Sequence, residues 1–261
     1  MRNDPAAGVP EAPLVRSAPR PGRPAVDLLP RAKKLVVGRP AQQHGGHDRT
    51  RRTALDPRRR LARRATEDGA ALAAHGLRVV PADYRFVHEA RWPAQLEDVR
   101  AAARRARAEA DGLPLLVAGD SAGGMLALQL ALRGVDRPDD VAGVLSYWAP
   151  VDPLGADWRR LRAGDDPWAD LLGHPPAPGD PATVDATVTT HVGNAVPVLL
   201  VQGADDRSVP ASQVVGLTGA LLAAGHPVHS WLTHGGHALA LDRPDLHAVT
   251  AAFLDTVLPP G

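Results

Sequence analysis

The sequence predicts an α/β architecture, a mostly parallel central sheet with helices on both faces and a small cap insertion. Three observations predict it. From about residue 70 onward, short β-rich apolar runs alternate with Ala/Leu/Arg patterns of helical period, the signature of repeated βαβ units. The helical stretches are punctuated by glycines at their ends, Gly112, Gly134 and Gly225. With 261 residues and 44% hydrophobic content, the chain is long enough for one sizeable domain.

Taken in order, residues 76–84 (GLRVVPADY) read as a strand, and residues 93–112 as a helix opened by Pro93 and closed near Gly112. A strand over 115–118, a helix over 123–133 and a strand over 141–148 follow. Residues 150–194 are rich in Pro, Gly, Asp and Trp and lack periodicity, which reads as a cap or lid inserted between regular elements. Regularity resumes with a strand over 196–203, a helix over 211–224, a strand over 228–232 and a terminal helix over 244–257.

The amino-terminal part differs. Residues 1–30 contain seven prolines and no apolar core of a secretory signal, so they read as a disordered tail preceding a domain over 31–261. Between Arg49 and Arg64 there are eight arginines without interleaved aromatics, the pattern of a solvated block rather than a nucleic-acid surface. Residues 31–70 as a whole match the regular pattern poorly.

Composition narrows the function classes. The formal charge of +1 argues against a general attraction to nucleic acid or an anionic membrane. The absence of cysteine excludes disulfides and thiolate catalysis, and no apolar run has transmembrane length. The expected location is cytoplasmic.

The chemistry concentrates in three short stretches. Gly119-Asp120-Ser121-Ala122-Gly123 satisfies G-x-S-x-G between a predicted strand and a predicted helix. A serine hydroxyl pushed out of a sheet on a tight turn needs small neighbours two residues either side, which Gly119 and Gly123 supply. The helix that follows aims free N–H groups at the site, with Ala122 first among them. A neutral hydroxyl needs a base, and the base an orienting carboxylate. After the strand over 196–203 comes GADDRSVP, and after the strand over 228–232 comes THGGHAL. Both loops sit at strand carboxyl ends, where α/β sheets place functional groups. Asp206 and His237 are preferred, with Asp205 and His234 as the alternatives.

Taken with DYRFVHEARWPAQLEDV over 83–99, these motifs resemble the α/β-hydrolase superfamily, most closely the hormone-sensitive-lipase-type esterases and their acyl-hydrolase relatives, over about residues 70–258. The resemblance implies the α/β-hydrolase fold and cleavage of carboxylic esters by Ser121, His237 and Asp206 through an acyl-enzyme. Amide or peptide acyl-hydrolysis with the same triad is the alternative, and a catalytically silent hydrolase fold is another. Arg85 and Glu89 are expected as ion-paired scaffold residues. The resemblance further implies an H-G-G-G loop after the third strand, for which this chain offers His44-Gly45-Gly46-His47 after KKLVV. Gly45 and Gly46 are thus candidate oxyanion donors beside Ala122, although His47 replaces the last glycine. Trp158 and Trp168 in the insertion are candidates for lining the substrate pocket. The substrate expected is a small acyl compound, with no metal or cofactor required, and the oligomeric state is open.

Overall fold

The computed structural model describes residues 33–37, 67–110 and 112–258. The proline-rich tail, the arginine block, Gly45 and Gly46 lie outside the described residues. In chain order the elements are β1 (Lys33–Val37), α1 (residues 67–73), β2 (Arg78–Ala82), α2 (Ala94–Ala108), β3 (Leu115–Asp120), α3 (Ala122–Arg133), β4 (Gly143–Tyr147), three short helices α4 (Ala156–Leu161), α5 (Pro167–Leu172) and α6 (Pro181–Ala186), a 3-10 turn (Val188–His191), β5 (Val198–Gly203), α7 (Ser212–Ala223), β6 (Val228–Thr233) and α8 (Pro244–Val257).

The strands form one six-stranded sheet in the order β2-β1-β3-β4-β5-β6. β3, β4, β5 and β6 run parallel. Their carboxyl ends therefore share one edge, and the connections from β3 to α3, β5 to α7 and β6 to α8 all open there. β4 and β5 are buried at every position, as near-continuous apolar runs must be when helices cover both faces. Alternation divides the strand residues between two cores. Leu115, Val117, Val144, Val198 and Leu200 pack with α2, α3 and α7, while Leu116, Ala118, Leu145, Leu199 and Val201 pack with Leu72 of α1 and Leu246, Phe253 and Leu254 of α8. Each fully buried leucine contributes about 1.5–3 kcal/mol relative to exposure. α3 is buried from Ala122 to Leu132, which places the helix following Ser121 at the centre of the molecule.

β1 departs from the expected parallel pattern. It pairs antiparallel with both β2 and β3, with Val37 opposite Leu115 and Leu35 opposite Val117. The chain consequently leaves β1 at the amino end of β3, the sheet edge opposite Ser121. The loop after KKLVV, expected to supply Gly45 and Gly46, lies outside the described residues.

Residues 150–194 are joined to the body of the protein. Trp158, Trp168, Leu171, Ala186 and Val188 belong to the same core as α2 and α3. Arg133 of α3 binds Asp185 Oδ1 at 2.9 Å, and Trp92 Nε1 donates to Asp185 Oδ2 at 2.7 Å. Gln129 Nε2 donates to Ala186 O at 2.6 Å. Arg85 is a scaffold residue, held by Asp98 through Nε and Nη2 at 2.9 Å each. Glu89 accepts from Phe86 N at 2.6 Å, closing the turn before α2.

Candidate active site

Ser121 sits where β3 gives way to α3, at φ 50° and ψ −124°. That left-handed conformation persists in a serine only where its surroundings impose it. Here Ser121 N–H donates to Tyr147 O on β4 at 2.9 Å, and Met125 N–H donates to Ser121 O at 3.1 Å. The turn also brings Gly119 against the next helix, for a Cβ on Gly119 would stand 2.2 Å from Gly123 O. Glycine at 119 is thus a steric requirement of this serine's placement. The N–H groups of Ala122, Gly123 and Gly124 precede the first intrahelical bond of α3 and mark its positive end.

The acid and histidine loops are fastened to each other by backbone. Asp205 N–H donates to Gly235 O at 3.0 Å and Ala204 N–H to Thr233 O at 2.8 Å. Gly235 N–H donates in return to Asp205 Oδ2 at 3.2 Å. A Cβ on Gly203 would lie 2.4 Å from Gly235 O, so the end of β5 touches the histidine loop directly. Asp205 is therefore spent as a clasp between loops, and Asp206 turns inward with 8% of its surface exposed.

His237 bridges the remaining distance. Its Nδ1 is 2.8 Å from Asp206 Oδ2 and its Nε2 is 3.1 Å from Ser121 Oγ. A carboxylate only accepts, so Nδ1 carries the hydrogen and Nε2 is free to accept from the serine hydroxyl. Asp206 Oδ1 accepts from Ser208 N at 2.7 Å and Val209 N at 3.0 Å. Burial works against the Asp206 charge, but the hydrogen bond and charge of His237, with these backbone donors, hold its carboxyl below the usual range. His234 is exposed and contributes its carbonyl to Arg243 Nη1 at 3.1 Å. The structure brings Ser121, His237 and Asp206 together and leaves Asp205 and His234 outside that chain.

The two tryptophans of the insertion meet edge-on, with ring centroids 6.5 Å apart. Together with Ala122, Met125, Pro150, Pro167 and Leu171 they line an apolar cavity of about 20 Å³ next to the Ser121 turn. Trp158 Nε1 donates to Asp166 Oδ1 at 3.1 Å, the carboxylate that also caps α5. Trp168 Nε1 is buried and has no partner among the described residues.

Three neighbours of the site escaped the sequence reading. Gln202 is wholly buried and its Nε2 lies 2.9 Å from Asp206 Oδ2. Arg162 stacks over Trp158 at 5.4 Å and donates from Nη2 to Ser208 O at 2.7 Å. Trp148 sets its ring edge-on to His237 at 6.4 Å. Gln202 had a signal, being the one polar side chain in the apolar run 196–202; Arg162 and Trp148 had none. Among the described residues, no three His, Cys, Asp or Glu side chains converge as a metal site would require.

Comparison with known proteins identifies the fold and the family. The family model for BD-FAE matches residues 60–221, where the motifs had pointed toward the hormone-sensitive-lipase type. A versiconal hemiacetal acetate esterase of Aspergillus parasiticus is 40% identical over 77 residues, 29% of this chain and 24% of that protein. The match thus spans about a quarter of the curated relative's length. A truncated carbohydrate esterase from gut microbiota superimposes with a TM-score of 0.63 at 22% identity, covering 72% of this chain and 76% of the other. An acetyl ester-xyloside bifunctional hydrolase from Caldicellulosiruptor lactoaceticus gives a TM-score of 0.59 at 23% identity over 73% and 75% of the two chains. At these identities the structural likeness speaks for the fold. The chain has the α/β-hydrolase fold and belongs to the BD-FAE family.

Proposed function

We propose that this protein is a serine hydrolase that cleaves small carboxylic esters. The observation that carries the reading is the unbroken hydrogen-bond chain from Ser121 Oγ through both ring nitrogens of His237 to Asp206 Oδ2. In the proposed cycle, Ser121 attacks the ester carbonyl while His237 Nε2 takes the hydroxyl proton, and Asp206 holds the ring orientation and balances the imidazolium charge. The tetrahedral oxyanion develops against the start of α3, where Ala122 N–H is the first donor. Gly45 and Gly46 remain the proposed source of a second donor. His237 then returns its proton to the leaving alcohol, and water releases the acyl group through the same base.

Two further observations favour a short acyl group. The cavity beside Ala122 is apolar and small, about 20 Å³, which suits a short acyl group. The partial relative is described as an acetate esterase. Trp158 and Trp168 line this cavity. No described helix is long and apolar enough to cross a membrane, and the cytoplasmic reading stays a proposal.

A fluorophosphonate probe tests the assignment. Labelling of Ser121 in folded protein, absent from Ser121→Ala and from heat-unfolded chain, is expected. Folded protein that reacts at no serine overturns the reading. Turnover of p-nitrophenyl acetate above that of the matched anilide is expected for an esterase, and the opposite ranking makes the enzyme an amidase.

A further inference from the structure

β5 reads VLLVQG, and every position in it is buried. Five of the six are apolar or glycine. Gln202 is the exception. Its Nε2 has three acceptors within reach, Asp206 Oδ2 at 2.9 Å, Val209 O at 3.1 Å and Gly203 O at 3.3 Å. Its Oε1 is buried and has no partner among the described residues. A buried carbonyl left without a donor is unfavourable, so the favourable contacts of this side chain come from its donor end. Flipping the amide would set Oε1 against the carboxylate, which fixes the orientation.

The bond to Asp206 falls on a particular oxygen. Oδ1 is occupied by Ser208 N–H and Val209 N–H. Oδ2 accepts from His237 Nδ1 and from Gln202 Nε2. The same oxygen that orients the base thus shares its charge with a neutral donor held on the rigid sheet. Gln202 also links Asp206 to Val209 O, bracing the loop that carries the acid.

We propose that Gln202 is a positioning residue for the hydrolysis proposed above, acting through Asp206 Oδ2 to aim His237 and to moderate the charge presented to it. The inference rests on that triad. Acting on one carboxylate oxygen, a second donor withdraws charge from the bond to His237 and weakens the stabilisation of the imidazolium. The other titratable and charged groups around Asp206 are Arg162 at the end of α4, whose charge acts on the carboxylate, Asp205 and Arg207 on its own loop, and His234 and His237 on the next. The mechanism predicts that removing the Gln202 donor concentrates the Asp206 charge on His237, so that the base gains its proton at higher pH.

The experiment is the pH dependence of kcat/KM for p-nitrophenyl acetate in wild type, Gln202→Leu and Gln202→Glu. Leucine is close in volume and removes the orphaned carbonyl together with the donor, and Gln202→Met serves in its place if the leucine variant does not fold. The expected result for the apolar variant is a fall in kcat of about tenfold with KM little changed. Its acid limb is expected to move upward by about half a pH unit or more. Gln202→Glu keeps a donor only while protonated, so its activity is expected to fall with rising pH where wild type is flat. An apolar variant whose profile coincides with wild type after scaling assigns Gln202 to packing alone and overturns the proposal. Fluorophosphonate labelling of wild type is run in parallel, because a wild type that does not label refutes the triad itself, whereas a labelled wild type with an unshifted variant refutes only the role of Gln202.

Discussion

His237 Nε2 stands 3.1 Å from Ser121 Oγ although 116 positions separate the two in the chain. The approach is made by two loops at one sheet edge, and the histidine loop is held there by backbone bonds to the acid loop. Removing the hydroxyl leaves this frame untouched. Ser121→Ala is expected to lower turnover of an activated acetate ester by about a thousandfold or more, with an unchanged circular dichroism spectrum. Turnover retained in the purified variant removes Ser121 from the mechanism.

The adjacent aspartates do different work and separate experimentally. Asp206→Asn is expected to reduce kcat by about 10⁴-fold, since an amide in place of the carboxylate favours the wrong histidine tautomer. Asp205→Asn keeps an acceptor for Gly235 N–H and is expected to stay within about tenfold of wild type. Steady-state kinetics on both variants decides, and the reverse ranking moves the acid by one residue.

Gly119 and Gly219 make a contrast in stability. A methyl group at 119 meets Gly123 O at 2.2 Å, while one at 219 on α7 meets nothing within 4 Å. Gly119→Ala is expected to cost about 3 kcal/mol in urea unfolding. Gly219→Ala is expected to stabilise by about 0.5–1 kcal/mol through helix propensity. Equal midpoints for the two variants would show that the nucleophile turn tolerates a side chain.

Asp185 joins the insertion to α3 and predicts a pH effect. Burial works against its charge, yet the hydrogen bonds from Arg133 and Trp92 and the Arg133 charge leave its carboxyl below the usual range. The folded protein therefore binds this proton less readily than the unfolded chain does. The resulting stabilisation is complete above the ordinary carboxylate value of about 4 and is lost as pH falls beneath it. Wild-type Tm is expected to drop more steeply than that of Asp185→Asn below about pH 4, and parallel melting curves across that range would show that the carboxylate adds nothing.

Much of this was readable in the sequence because it is local. Strand and helix runs declare themselves by period, and β3, α3, β5, β6 and α8 form within a few residues of where the pattern sets them. The G-x-S-x-G motif is legible for the same reason, since Gly119 answers a clash with Gly123 O within five residues of chain. What sequence alone left open are choices between neighbours that only distant partners resolve. Asp205 and Asp206 are equivalent in pattern, and it is the backbone of Gly235, thirty residues on, that draws Asp205 outward and leaves Asp206 for His237. The direction of β1 is another such choice, because a five-residue strand with only three apolar residues pairs equally well either way until its neighbours set the register. Gln202 belongs with these. Its amide is visible in the sequence, but the carboxylate that gives it a purpose is brought within 2.9 Å only when the acid loop folds back over the end of β5.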